Sequence, residues 1–127
     1  MQKRDINAEQ APRPASPYSQ AVEVTDANRI LVISGQVGVE ADGTTPVGIE
    51  EQARLVWRNL AAQLAAAGMT FDNLVKVTTI IPDAADIPAS RAARAEALGD
   101  RRPASTLIVG GLANPAWKIE IEGTAYD

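Results

Sequence analysis

Glu120 and Glu122 alternate with Ile119 and Ile121 near the end of a 127-residue chain. In an extended strand such carboxylates share one face, roughly 6.6–6.8 Å apart along the chain. They suit proton transfer to or from water, and equally the solvated face of an edge or interface strand. Carboxylates matter more than usual here, because the sequence has no histidine and no cysteine. That excludes Ser–His and Cys–His triads, thiol nucleophiles, disulfides and Cys/His zinc sites. Acid–base work falls to carboxylates, tyrosine, lysine, bound water or backbone groups.

Other motifs are weaker. The largest basic cluster is the Arg101–Arg102 pair, and the formal charge is −4, so nucleic acid is not an expected partner. The absence of histidine and the acidic charge also argue against a ribonuclease. Gly35-Gln36-Val37-Gly38 lacks the spacing of a dinucleotide fingerprint, and there is no phosphate-binding loop. Asp83 and Asp86 stand at a strand-to-helix junction, where capping is the ordinary role. Trp57 and Trp117 are expected to pack. Met1–Ser16 lacks the apolar core of a signal peptide, and no apolar run approaches the ~20 residues that span a membrane. The expectation is a cytoplasmic protein without a membrane partner.

These residues must be positioned by a small core. Apolar residues make up 46% and charged residues 22% of the sequence, as in one ordinary globular domain over residues 1–127. Aromatic residues are only 4%, so aliphatic side chains and alanine must fill it. Ile49, Ala53, Val56, Leu60, Leu64 and Ala67 recur at helical spacing, with Glu50 and Glu51 in the first turn and Gly68 as terminator; this predicts a helix over 49–67. A second helix is predicted from Asp86 as cap through Leu98, with Pro88 in its first turn and Gly99 ending it. Strands are expected at 21–24, 29–34, 74–81, 106–109 and 117–124. The opening stretch, with Pro12, Pro14 and Pro17, reads as an extended arm poor in hydrogen bonds. Ile30–Ile33 reads as a strand buried on both faces. Two helices cover only one face of a sheet, so the other must be closed by another subunit or by a loop or the N-terminal arm.

The motifs also resemble a known family. Ser16-Pro17-Tyr18-Ser19-Gln20-Ala21-Val22, Ser34-Gly35-Gln36, Gln52-Ala53-Arg54 with Asn59-Leu60 and Ala66-Ala67-Gly68, Val75-Lys76-Val77-Thr78-Thr79, Pro103-Ala104-Ser105-Thr106 and Ile119–Ala125 appear in the order of blocks typical of the RidA family, also called YjgF or endoribonuclease L-PSP. The likeness runs from about Ala11 to Tyr126. It implies an α+β fold, a mixed six-stranded sheet backed by two helices on one face, similar to the chorismate-mutase-like fold. It further implies a homotrimer with ligand clefts between subunits, and hydrolysis of reactive 2-imino or enamine acids to 2-keto acids and ammonia without metal or organic cofactor.

By the same resemblance Glu120 is the carboxylate that holds or activates the attacking water. Tyr18 forms the cleft wall, the Gly35 backbone N–H meets the ligand carboxylate, and the Leu107 main-chain carbonyl helps hold water. Arg91 stands where active members often carry Asn. The main departure is Ser105, at the position of the arginine that forks onto the substrate carboxylate in the P-A-R-S motif. Arg101 and Arg102 are substitute clamps by proximity, although both precede Pro103, and the loop there is shorter than in many members.

Overall fold

The longest helix, α1 (Ile49–Ala66), organises the molecule, which a computed structural model describes over residues 1–127. Ala53, Val56, Leu60 and Leu64 lie on one stripe and are fully buried, as their spacing demands. The helix closes in a Schellman turn: Gly68 N–H donates to the Ala65 carbonyl and Met69 N–H to that of Leu64, each at 2.9 Å. Gly68 holds φ +72° there, a conformation that glycine takes without strain. The shorter α2 (Ile87–Leu98) carries Pro88 in its first turn and ends at Gly99. Its N-cap position is Asp86, but that side chain makes no capping bond. Asp83 caps instead, its carboxylate accepting the Ala85 N–H at 2.9 Å in the preceding 3₁₀ turn.

Six strands form, in two sheets rather than one. β3 (Ile30–Val37), β6 (Glu120–Tyr126), β4 (Leu74–Ile81) and β5 (Ala104–Val109) hydrogen-bond in that spatial order. β4 and β5 are parallel, joined through α2, and the other two pairings are antiparallel. β1 (Gln2–Ile6) and β2 (Ala21–Thr25) make a separate antiparallel ribbon. A single bridge, Ser19 to Ala104, ties the segment before β2 to the edge of β5. The expected single six-stranded sheet is thus four strands plus two. The cause lies in the arm: three prolines separate β1 from β2, and the polar Gln2–Ile6 becomes a strand only by pairing with β2.

Alternation along the strands defines two faces. Leu31 and Ile33, Val77, Thr79 and Ile81, and Ile121, Gly123 and Ala125 turn toward the helices and pack there. Ile30 and Val32, Lys76, Thr78 and Ile80, and Glu120, Glu122 and Thr124 turn the other way. Nothing in the chain covers that outer face fully: Val32 is 77% exposed, Ile30 63% and Ile108 46%. Ile30–Ile33, expected to be buried on both sides, is buried on one, and the N-terminal arm does not close the other.

A buried glutamine ties loops to this frame. The Gln52 amide donates to the carbonyls of Pro46 at 2.7 Å and Ala116 at 3.0 Å. Its oxygen accepts the Lys118 N–H at 2.8 Å, which fixes the approach to β6 and therefore to Glu120.

Candidate functional site

Glu120 begins β6, between β3 and β4, opposite Val37 and Ile80. The β3 register shifts between Ile33 and Gln36, and this bulge carries Gly35 over the carboxylate. A Cβ at position 35 would lie 2.6 Å from Glu120 Oε2 and 2.7 Å from its carboxyl carbon. Only glycine leaves that carboxylate where it is. Glu120 is half-buried and Gly35 exposed, and no ion pair of the chain involves Glu120. The corner offers an unpaired carboxylate beside accessible backbone.

Tyr18, Arg91, Ser105 and Leu107 meet elsewhere, around a cavity of about 140 Å³. Ser105 and Leu107 share a face of β5, Tyr18 arrives next to the Ser19–Ala104 bridge, and Arg91 comes from α2. Leu107 is level with Thr79, and Thr79 with Ile121, all toward the helix side. Glu120, one residue from Ile121, points through the opposite face. The expected site residues therefore form two groups on opposite faces of one sheet. Ser105 Oγ donates to the Pro103 carbonyl at 3.1 Å, so its proton is already used.

The two suggested clamps stand outside this cavity. Arg101 Nε donates to Asp72 Oδ1 at 2.6 Å and its Nη1 to the Leu98 carbonyl at 3.2 Å. The hydrogen bond and charge of Arg101 hold the Asp72 carboxyl below its ordinary value. Arg102 lines a larger groove of about 860 Å³ along the N-terminal arm, with Glu9, Arg13 and Tyr18 among its neighbours. Pro103, buried between these arginines and β5, separates them from Ser105.

The cavity also takes in residues without an expected role. Arg94, one turn beyond Arg91, lines it and donates to Ser16 Oγ at 3.1 Å. Burial holds its guanidinium below the usual arginine value, and Arg91 adds repulsion while Tyr18 opposes the shift. Trp57, expected to pack, does so edge-on against Phe71 with centroids 5.8 Å apart, but it lines the cavity as well. The i, i+3 spacing of Arg91 and Arg94 was the available signal. No group of three His, Cys, Asp or Glu is placed to hold a metal ion, and no helix is long and apolar enough to cross a membrane.

A helix-backed α+β sheet with a β-α-β crossover, an unpaired carboxylate against a bulge glycine and an open apolar face places the chain in a class of small two-layer α+β domains. The family model described as Endoribonuclease L-PSP matches residues 8–127. The chain is 35% identical over 126 residues to a RutC family protein of Pyrococcus horikoshii, covering 98% of both. It is 34% identical over 125 residues to a 2-iminobutanoate/2-iminopropanoate deaminase of Capra hircus, covering 97% of this chain and 89% of that one. The crystal structure of a Rid family protein of unknown function, YyfB of Yersinia pestis, superposes with a TM-score of 0.85 at 33% identity, covering 100% of each chain. The chain belongs to the RidA family.

Proposed function

We propose that this chain is a cofactor-independent hydrolytic deaminase of a reactive enamine or imine, acting as a homotrimer with its site between subunits. The observation that carries this reading is the Glu120–Gly35 corner: a half-buried carboxylate without counter-ion, on the face that a single chain leaves uncovered. The kinship with a named imine deaminase supports it. In the proposed assembly one subunit brings Glu120 and Gly35 to the cavity of the next, where Tyr18, Arg91, Ser105 and Leu107 lie. The domain over residues 1–127 and a cytoplasmic location belong to the same reading. No nucleic acid or membrane partner is part of it.

In the proposed reaction Glu120 accepts a proton from water as the water oxygen bonds to the C=N carbon. Glu120 returns that proton to the nitrogen, giving the carbinolamine. The carbinolamine hydroxyl then gives its proton through Glu120 to the amine as the C–N bond breaks, the carbonyl forms and ammonia leaves. An enamine first shifts a proton to become the imine. The Gly35 N–H and the Leu107 carbonyl orient ligand and water, and Tyr18 forms a wall. The steps add water across C=N, move protons and break C–N with no net change of oxidation state, so no cofactor enters the scheme.

Ser105 limits the substrate. A charged hydrogen bond contributes about 1.5–3 kcal/mol, so loss of a guanidinium fork at this position lowers activity on 2-iminopropanoate or 2-iminobutanoate by about 10-fold to 100-fold. The test is ammonia or keto-acid release from imine generated in situ. Wild type is expected near background on those two substrates. Ser105→Arg is expected to raise turnover, and Glu120→Gln added to Ser105→Arg to remove that gain with the proposed trimer intact. Undiminished turnover in the Ser105→Arg, Glu120→Gln double variant overturns the catalytic role. The second reading, a non-catalytic metabolite-binding member, is favoured by Ser105 Oγ being spent on Pro103. It prevails if folded Ser105→Arg gains nothing.

A further inference from the structure

The cavity on the helix side of β5 is chemically one-sided. Arg91 and Arg94 both line it, and neither forms an ion pair with any carboxylate of the chain. Trp57, 3% exposed, lines it too, and its indole Nε1–H is buried without a hydrogen-bond partner. Guanidinium and indole are donors only. The remaining polar lining is hydroxyl-bearing, and no Asp or Glu borders the space. A buried donor without an acceptor is destabilising, and two cations one helical turn apart repel each other. The repulsion is relieved by one kind of occupant, a small anion that only accepts hydrogen bonds, and the unpartnered Trp57 indole is the reporter beside it.

We propose that Arg94, assisted by Arg91, is the carboxylate clamp of this chain, binding a small organic carboxylate from α2 in place of the strand-borne arginine absent at Ser105. The lowered proton affinity of Arg94 is what burial beside a second cation produces, and an anion reverses that repulsion. Arg94 also reaches the cavity already oriented by its bond to Ser16 Oγ. A clamp moved from β5 to α2 holds the carboxylate elsewhere relative to the reacting carbon, which selects against the shortest 2-imino acids and for carboxylates of different reach. This proposal rests on the ligand cleft of the deaminase reading but is tested without turnover.

The experiment is an NMR titration of the full-length protein with butanoate and, as uncharged control, butanamide. Butanoate is expected to shift the Trp57 indole N–H resonance saturably, and butanamide to leave it in place. Arg94→Met is expected to weaken butanoate binding about 10-fold or more, with partial retention in Arg94→Lys. Arg91→Met, at an exposed position, is expected to weaken it less. Arg4→Met removes the same charge from the β1–β2 ribbon and is expected to change nothing. The proposal is overturned if butanoate produces no saturable shift, if folded Arg94→Met binds like wild type, or if Arg4→Met loses as much affinity as Arg94→Met. Butanoate binding through Arg94 without ammonia release on any imine removes the deaminase reading and leaves the clamp. Ammonia release with butanoate affinity unchanged in Arg94→Met does the reverse.

Discussion

On the helix side of the sheet, Val56, Leu60 and Leu64 of α1 meet Val77, Ile81, Ile121 and Ala125, and none is more than 1% exposed. On the other side the same strands show Val32 and Ile30 to solvent beside Lys76, Thr78, Glu120 and Glu122. One face is complete within a single chain, and the other is not. The first carries stability. The second carries the carboxylate that the proposed reaction uses, so in the proposed trimer assembly and chemistry share a surface. The Arg91–Arg94 cavity lies on the completed side, near the β5 edge; the proposed trimer requires a neighbouring subunit to bring its own Glu120 there.

Truncation on the two faces separates them most strongly. Leu60→Ala removes a fully buried side chain, and large-to-small changes in such a core cost about 2–5 kcal/mol; urea unfolding measures this directly. Val32→Ala is expected to stay within about 0.5 kcal/mol for the folded chain, as at other exposed positions. Val32→Asp is expected to keep its far-ultraviolet circular dichroism while losing the proposed trimer, three times 13.4 kDa, in light scattering. Equal destabilisation by Leu60→Ala and Val32→Ala breaks the comparison. A monodisperse wild-type monomer removes the assembly and the shared site.

The sequence made the two faces legible unevenly. Leu74–Ile81 forms a strand with the expected bounds, and α1 ends within a residue of its expected end, because periodicity and terminators agree there. β1 was not legible, since Gln2–Ile6 is mostly polar and exposed and owes its conformation to a partner strand 19 residues on, as in the Arg4–Glu23 pairing. Apolar Ile30–Ile33 signals two covered faces but not which chain does the covering. The site shows the same limit. Family motifs pointed to Tyr18, Arg91, Ser105 and Leu107, which meet, but a linear match does not reveal that Glu120 and Gly35 face the other way. Arg94 resembles any solvated helix arginine until Ser16, 78 residues away, is brought against it. Arg101 looked available because its partner Asp72 lies 29 residues upstream.

Gln52 links the faces and supplies the next largest effect. Its amide satisfies Pro46, Ala116 and Lys118 from within the helix layer, and Lys118 precedes Glu120 by two residues. Gln52→Leu strands two carbonyls and one N–H, a loss on the order of 2–4 kcal/mol. Urea unfolding is expected to show it, together with a fall in any hydrolytic rate as the start of β6 loosens. Unchanged stability would mean that the loops before α1 and β6 hold themselves. Unchanged rate with lowered stability would mean that the β6 ladder alone positions Glu120.

The smallest effect distinguishes the two kinds of arginine. Arg101 is paired with Asp72 on an exposed surface, whereas Arg91 and Arg94 have no carboxylate. Because the Asp72 carboxyl is held below its ordinary value in the folded protein by Arg101, its contribution to stability is present above the unfolded-state value of about 3.9. It disappears as pH falls through the lower folded-state value. Solvent screening keeps an exposed pair weak. Asp72→Asn is therefore expected to lower the melting temperature slightly at pH 6 and low salt, with the gap to wild type closing as the solution is acidified below pH 4. Arg101→Met is expected to show the same closing gap and no change in butanoate affinity. Arg94→Met is expected to show the opposite pattern, lost affinity without an acid-dependent gap. A constant gap for Asp72→Asn across the acid range would show that the aspartate acts through the local turn rather than through its charge, and Arg101 would again be free to serve as a clamp.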